Sequence, residues 1–343
     1  MLTRKKIPSL CLYAVYLILA AEVLLRLGSH FLFKVPLLDI RRLRSDPYVI
    51  WKFNPGYTGP LYTYTFARIN RNGFLGNELE KPKGRKAFRV VVLGGSVAFG
   101  YGVASMEENF CSQLENILND SSAGWSYEVV NAGVPGYSSW NGRQFVEHYL
   151  ADLQPDFLLV AFGWNDSLLD LLPDGHPQKG MKSVHNNVAH FPFSHSVTAY
   201  ALRRAYLILG AKMGLIRNLG EEEHRKYPVR VSPEQLRENL RAMRDWCDDH
   251  GVEIALCTEP VAKLPPGVGA RTDRYSTYSA AVRQAAAELG VPLADVAGAF
   301  SEMDPKICFA HPEIDYVHPN AQGQKEMAGI VYHQLRQAGC FTK

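Results

Sequence analysis

The chain has 343 residues, of which 47% are hydrophobic, 21% charged and 11% aromatic, a composition that excludes a wholly disordered chain, a collagen and a coiled coil. The formal net charge of +3 is too small for a typical nucleic-acid-binding protein. The first 52 residues carry nine basic and three acidic side chains, a net charge of +6, and the rest of the chain is slightly acidic. We therefore expect no nucleic acid as a partner.

The most apolar stretch of the chain runs from Ile7 to about Leu27 and predicts a membrane anchor within residues 1–30. A bilayer needs about 20 apolar residues, so the span must include Glu22 and Arg26, which stand four apart and can pair on one helix face. These two side chains could instead contact a partner helix in the membrane. A cleaved signal peptide and a soluble apolar helix are the alternatives. Basic residues on both sides of the span leave its orientation open.

Residues 31–86 follow as a juxtamembrane and β-rich lead-in, since their second half is rich in Tyr, Gly, Pro and Asn. From residue 87 onward, short apolar runs alternate with amphipathic stretches, which predicts alternating strands and helices. The predicted strands are 88–93, 127–130, 157–162, 252–257 and 291–296. The predicted helices are 107–118, 140–150, 233–250, 272–289 and 321–337. This alternation predicts a three-layer α/β/α domain over residues 87–343, with about five parallel strands.

Residues 167–231 interrupt the alternation as an insertion, and a connection of this length in a compact domain is usually functional, often a lid. It contains an apolar helical pattern near residues 200–213. Its histidines at 185, 190 and 195 are spaced by five, share no helix or strand face, and have no cysteine or carboxylate pattern beside them. We therefore expect neither a metal nor another cofactor, and no Gly-Lys-Ser/Thr sequence follows the Gly-rich turns to indicate a nucleotide.

Polar segments follow the predicted strands, at the sheet edge where doubly wound sheets bind their ligands. The segments are Gly94-Gly95-Ser96, Asn131-Ala132-Gly133-Val134-Pro135-Gly136, Gly163-Trp164-Asn165-Asp166 and, before the last helix, Asp315-Tyr316-Val317-His318-Pro319. A serine hydroxyl becomes a nucleophile when a histidine takes its proton, and that histidine needs a carboxylate on its other ring nitrogen. Ser96, His318 and Asp315 are the candidates for these roles.

An ester carbonyl under attack develops an oxyanion that needs fixed hydrogen-bond donors. The backbone N–H groups of Ser96 and Gly136 and the side-chain amide of Asn165 could converge on it. Asp166, the next residue, is better explained as a structural residue than as a catalyst.

Together the four segments resemble, in order and over roughly residues 88–338, the blocks of the SGNH (GDSL-like) serine hydrolase superfamily. The resemblance implies a flavodoxin-like SGNH domain with a catalytic triad and an oxyanion hole. By this resemblance the triad is Ser96, Asp315 and His318, and the oxyanion donors are Ser96, Gly136 and Asn165. The usual Gly-Asp-Ser sequence reads Gly94-Gly95-Ser96 here, a departure that affects local packing rather than the triad.

Residues 69–74 and the apolar span resemble the lead-in and anchor of membrane-anchored bacterial members of this superfamily. The implied location is a single pass through the bacterial inner membrane, with the catalytic domain periplasmic or extracellular. The implied function is a serine esterase or acyltransferase acting through an acyl-serine, on O-acyl (O-acetyl) groups of an extracytoplasmic carbohydrate. One alternative is a lipase-like or thioesterase-like enzyme with an acyl pocket in the insertion, and another is a non-catalytic anchored subunit that binds glycan or a membrane partner.

Overall fold

The structure of the chain is a computed structural model. It describes residues 6–33, 41–122, 124–170, 172–176, 196–199, 202, 227–263, 270–312 and 315–342. The histidines at 185, 190 and 195, and nearly all of the apolar pattern at 200–213, lie outside the described residues.

A five-stranded parallel sheet forms the centre of the fold. The strands of the described chain are β1 (Leu43–Asp46), β2 (Ile50–Phe53), β3 (Thr58–Leu61), β4 (Tyr64–Arg68), β5 (Ala87–Gly94), β6 (Ser126–Asn131), β7 (Phe157–Ala161), β8 (Glu253–Cys257) and β9 (Leu293–Ala294). The parallel sheet has the order β6-β5-β7-β8-β9. All residues of β5 are buried, as expected for a strand covered by helices on both faces. The predicted parallel sheet is confirmed, although β9 is much shorter than the predicted strand 291–296.

Helices flank this sheet, and their ends follow the capping signals of the sequence. The helices of the described chain are α1 (Lys6–Phe33), α2 (Ser96–Phe99), α3 (Phe110–Asp120), α4 (Ser139–Tyr149), α5 (Pro233–His250), α6 (Ala270–Leu289), α7 (Val296–Ser301), α8 (Pro305–Cys308) and α9 (Ala321–Gln337). The Ser232 hydroxyl accepts the N–H of Gln235 at 3.2 Å at the start of α5, and Gly251 ends that helix with φ +66°. The Asn320 side chain accepts the N–H of Gly323 at 3.0 Å and caps α9.

The lead-in consists of two antiparallel strand pairs, β1–β2 and β3–β4, which confirms the predicted β-rich segment. It packs on the sheet domain at Phe99, whose ring centroid lies 5.3 Å from that of Phe53 and 5.2 Å from that of Tyr64. The Tyr64 hydroxyl also donates to the Phe99 carbonyl at 2.8 Å. Because Phe99 ends the short helix that begins at Ser96, the lead-in contacts the segment that carries Ser96.

Among the described residues, one helix segment, Leu12–Leu32, is long and apolar enough to cross a membrane, with a mean hydropathy of 1.6. At 1.5 Å per residue it extends about 31 Å, which matches the ~30 Å hydrocarbon core of a bilayer. Its large apolar side chains are exposed: Leu24 and Leu32 are 69% and 76% exposed. This helix fits a membrane anchor or a signal sequence.

Glu22 and Arg26, within the Leu12–Leu32 segment, are paired, as their spacing predicts. Nε of Arg26 donates to Glu22 at 2.7 Å. Glu22 also accepts the Ser196 hydroxyl at 2.8 Å and the backbone N–H groups of Val197 and Thr198 at 3.1 Å and 2.9 Å. These described partners of Glu22 belong to the chain itself, near the middle of the insertion.

Candidate active site

Three loops meet at the carboxyl ends of β5, β6 and β7. In the sheet, β5 lies between β6 and β7. The chain therefore passes from β5 to β6 on one side and then from β6 to β7 on the other side of β5. Ligands bind at such a switch point in doubly wound sheets. Val92 pairs with Asn131, and Gly94 pairs with Ala161. The segments that follow β6 and β7 therefore emerge beside Ser96, the first residue of α2.

Ser96, His318 and Asp315 lie in one chain of hydrogen bonds. Nε2 of His318 is 2.8 Å from Oγ of Ser96. Its Nδ1 is 2.9 Å from each carboxylate oxygen of Asp315. When Nδ1 carries the proton, the ring donates to the carboxylate and Nε2 can accept the proton of the serine. Ser96 is partly exposed, so an ester can reach its hydroxyl.

The turn that carries Asp315 and His318 also stabilises the charged form of the Asp315 carboxylate. The backbone N–H groups of Val317 and His318 donate to Oδ1 of Asp315 at 3.3 Å and 3.1 Å. Burial raises the pKa of Asp315, but the His318 ring and these backbone donors outweigh it, and the pKa lies below its ordinary value. The carboxylate is therefore charged at neutral pH and can stabilise an imidazolium.

Gly136 and Asn165 are brought together by a hydrogen bond. Nδ2 of Asn165 donates to the carbonyl of Tyr137, the residue after Gly136, at 2.8 Å. Gly136 has φ +90°, a left-handed conformation that favours glycine. A side-chain amide has two N–H groups, so Asn165 keeps one for a ligand when the other binds Tyr137. Two of the three predicted oxyanion donors, Gly136 and Asn165, are thus joined across the loops that follow β6 and β7.

Gly95 explains how the Asn165 amide comes close to Ser96. A Cβ atom at position 95 would lie 2.6 Å from Nδ2 of Asn165 and 3.2 Å from the carbonyl oxygen of Tyr137. Any larger residue there would require Asn165 to move. Gly95, the residue before Ser96, therefore leaves the space that the amide of Asn165 occupies.

Family comparison matches residues 92–326 to the GDSL-like Lipase/Acylhydrolase family. The matched range is more than half of the chain and contains all five predicted site residues. The chain belongs to this family. Its family and its fold are those of a serine ester hydrolase.

Similar solved structures have low sequence identity. The lipase/acylhydrolase from Enterococcus faecalis is 16% identical with a TM-score of 0.46, and the match covers 73% of this chain and 96% of that one. A catalytic mutant of an acetylxylan esterase from Geobacillus stearothermophilus is 13% identical with a TM-score of 0.46, covering 72% and 94%. A G-D-S-L family lipolytic protein from Desulfitobacterium hafniense is 14% identical with a TM-score of 0.44, covering 71% and 98%. Comparison with curated proteins gives no match.

In this GDSL-like hydrolase, Arg230 holds the Gly136 turn from its carbonyl side. Nη1 of Arg230 donates to the Gly136 carbonyl at 2.9 Å. Nη2 lies 2.8 Å from Asp174, and the two side chains are 11% and 1% exposed. The Ser138 hydroxyl donates to the same carboxylate at 2.6 Å. Breaking a buried ion pair leaves an uncompensated charge, so this pair firmly joins the two ends of the insertion to the Gly136 turn.

Asp166 is buried behind the site and binds the start of α4. It accepts the backbone N–H of Ser139 at 3.1 Å and also the hydroxyl of that residue. Burial raises the pKa of Asp166 to about 6, although the hydrogen bonds from Ser139 and the charge of Arg230 act in the opposite direction. These contacts agree with the structural interpretation of Asp166.

Glu259 fixes the backbone next to Asn165. Its carboxyl group is 2% exposed and accepts the backbone N–H of Trp164 at 2.8 Å. Burial raises the pKa of Glu259 to about 8; the N–H of Trp164 opposes this rise, and the charge of Asp166 adds to it. Glu259 therefore carries a proton at neutral pH and still anchors the loop after β7.

Sequence reasoning did not single out Arg230, Asp174 or Glu259. Glu259 stands two residues past β8, at the same sheet edge as the other site segments, so the rule that examines strand ends could have found it. Arg230 and Asp174 lie within the insertion and carry no periodic or motif signal. No group of three or more His, Cys, Asp or Glu side chains that could hold a metal ion occurs in the described part of the chain.

The raised pKa of Glu259 makes stability depend on pH. Between about pH 4.5 and about pH 8, folded Glu259 keeps a proton that the unfolded chain has released, so the free energy of unfolding falls as the pH rises. Each unit of pKa difference corresponds to about 1.4 kcal/mol. Glu259→Gln keeps an acceptor for Trp164 and has no proton to lose. We expect the free energy of unfolding of this variant, measured with urea, to fall less between about pH 5 and about pH 8 than that of the wild type.

Glu238→Gln, which replaces an exposed carboxylate on α5, is the matched control and should follow the wild type. A fall in the Glu259→Gln variant that equals the wild-type fall would contradict the raised pKa.

Proposed function

We propose that the chain is a serine esterase or acyltransferase that works through an acyl-serine intermediate. Ser96 is the nucleophile, His318 the general base and Asp315 the carboxylate that orients the imidazole. The observation that carries the proposal is the hydrogen-bond chain from Oγ of Ser96 to Nε2 of His318, at 2.8 Å, and on to Asp315. Nucleophile, base and orienting group are each within hydrogen-bond reach of the next.

Acylation follows from this geometry. Nε2 of His318 takes the hydroxyl proton while Oγ of Ser96 forms a bond to the ester carbonyl carbon. The carbonyl oxygen becomes an oxyanion, which accepts hydrogen bonds from the backbone N–H groups of Ser96 and Gly136 and from the amide of Asn165. When the intermediate collapses, the carbon–oxygen bond to the alcohol breaks. The imidazolium of His318 gives its proton to the departing oxygen.

Deacylation repeats the sequence with a new acceptor. The neutral imidazole takes a proton from water or from a second alcohol, whose oxygen attacks the acyl-serine. The oxyanion forms in the same position, and Ser96 leaves with the proton from His318. Water gives hydrolysis and an alcohol gives acyl transfer, and the same residues serve both.

For the substrate we favour O-acyl groups, O-acetyl in particular, on carbohydrate outside the cytoplasm. The exposed apolar helix α1 supports a single-pass anchor. By the resemblance to membrane-anchored bacterial members, we place this anchor in a bacterial inner membrane, with the catalytic domain periplasmic or extracellular. A catalytic domain that added protease reaches only from the cytoplasmic side would contradict this location. A wild-type enzyme that cleaves long-chain esters far faster than acetates would contradict the substrate class.

Removing the nucleophile tests the proposed reaction. Ser96→Ala should abolish turnover of a short-chain aryl ester and labelling by a fluorophosphonate probe. Asn165→Ala should lower kcat roughly 10²–10³-fold, the usual loss for one oxyanion donor. Both changes are read in a stopped-time ester assay and by gel fluorescence.

Ser121→Ala, at the exposed end of α3, is the matched serine control and should label like the wild type. Unchanged rates in the Ser96 and Asn165 variants would end the proposal. A wild-type protein that resists the probe, yet supports polysaccharide acetylation in cells, would favour a non-catalytic subunit.

Removing Arg230 tests whether the carbonyl contact positions Gly136. Arg230→Gln shortens the donor and takes the positive charge away from the Asp174 carboxylate, which keeps the Ser138 hydroxyl, so we expect a lower free energy of unfolding. We also expect kcat to fall roughly 10–10²-fold with little change in KM, because a small displacement of an oxyanion donor weakens the transition state more than the bound substrate.

The double variant Arg230→Met/Asp174→Leu separates position from stability. It removes both charges, so the free energy of unfolding should largely recover, whereas kcat should stay low because the Gly136 carbonyl still lacks its donor. Recovery of kcat together with stability would show that the pair acts on stability alone.

A further inference from the structure

The turn between β3 and β4 lies beside the base histidine. The ring of Tyr62, in this turn, is 5.9 Å between centroids from the ring of Tyr101. The ring of Tyr101 is in turn 4.4 Å from the imidazole of His318. The hydroxyl of Thr63 accepts the backbone N–H of Gly102 at 3.1 Å and holds the turn in this place. Tyr101 and Tyr62 therefore form an aromatic row that leads outward from His318.

Tyr62 has an unfavourable conformation for its position. Two residues connect the paired positions Leu61 and Tyr64, and Tyr62 has φ +54°, in the left-handed region that glycine adopts more readily. The residue is nevertheless 41% exposed, although its ring forms a T-shaped pair with Phe99 at 5.6 Å between centroids. A residue that keeps both a strained backbone and an open ring points to a role outside the fold.

The proposed reaction indicates which part of the substrate lies beside this aromatic row. In the proposed reaction His318 must give its proton to the oxygen of the departing alcohol, so that oxygen lies next to Nε2. The rest of the alcohol then extends away on the His318 side, where Tyr101 and Tyr62 stand. The same argument places an attacking acceptor alcohol there in acyl transfer, because the acceptor gives its proton to the same nitrogen.

We propose that Tyr62 and Tyr101 form the subsite for the alcohol part of the ester, and that the open face of Tyr62 stacks on a sugar ring. A pyranose presents a face of C–H groups, which packs flat on an aromatic ring, whereas a short alkyl alcohol is too small to reach across Tyr101 to Tyr62. This subsite rests on the proposed function of Ser96 and His318. It makes the lead-in hairpin part of the substrate-binding surface.

Two acetate esters that differ in the alcohol test the subsite on the full chain. With a methyl pyranoside O-acetate, Tyr62→Gly should lower kcat/KM about 10-fold, mainly through KM, while Tyr62→Phe should stay within about twofold of wild type. With ethyl acetate, all these variants should match the wild type within about twofold. Tyr62→Gly relieves the positive φ but removes the ring contacts with Phe99 and Tyr101, so its unfolding temperature is measured alongside, and an unchanged rate on ethyl acetate shows that the site is still folded.

Phe66→Ala is the control, since Phe66 lies on β4 of the same hairpin and its ring is 42% exposed; it should change neither rate. Equal losses on both esters, or no loss on the pyranoside ester, would overturn the subsite. If the wild type cleaves neither ester and resists the fluorophosphonate probe, the proposed function fails and the subsite fails with it. If the wild type cleaves both esters and Tyr62→Gly does not distinguish between them, the subsite is wrong and the proposed function stands.

Discussion

The parallel hydrogen bonds that β5 makes with β6 on one side and β7 on the other are the constraint on which the site depends. They bring the ends of three strands that are distant in sequence to one edge of the sheet, where Ser96, Gly136 and Asn165 follow them. Burial on both faces stabilises this arrangement, since β5 exposes none of its residues. The positions of the reacting groups are therefore set by backbone pairing in the interior.

Side chains then refine these positions by binding backbone carbonyls and N–H groups. Arg230 binds the carbonyl of Gly136, Asn165 binds that of Tyr137, and Glu259 binds the N–H of Trp164. The last two contacts are buried and the first is partly buried, and in the interior a hydrogen bond is stronger and an unpaired polar group is costlier than at the surface. The side of the site that carries Gly136 and Asn165 is thus held by long-range polar contacts, and the side that carries His318 is held by aromatic rings and one short turn.

The parts of the site that could be predicted from sequence are those with a local signal. Ser96 and Asn165 follow strand ends, and Asp315 and His318 share one short segment, so strand patterns and spacing identified them. Arg230 binds a carbonyl 94 residues earlier in the chain, and no local pattern encodes such a contact. Tyr62 was hidden for a related reason, because the Tyr-rich lead-in indicates strands and turns without showing which turn docks beside His318.

The same distinction explains the errors in element boundaries. The apolar run 291–296 predicted one strand, but β9 pairs with β8 alone, over two residues, and the run continues into α7 from Val296. Its ladder with β8 has two pairs, and no local pattern encodes where that ladder ends. The other four strands of the sheet match their predicted ranges within one residue.

The turn from Asp315 to His318 has a consequence for how the enzyme loses activity. Base and carboxylate sit three residues apart, and the peptide groups of their own turn bind the carboxylate, so the pair is preassembled as a unit. This unit is tied down by bonds from the N–H of Ala262 to the carbonyl of Tyr316 and from the N–H of Asp315 to the carbonyl of His311, each 2.8 Å. When the segment opens, base and carboxylate depart together. In the proposed mechanism a molecule then has either a complete proton relay or none, so we expect mild heating to lower the number of active molecules rather than the turnover of each.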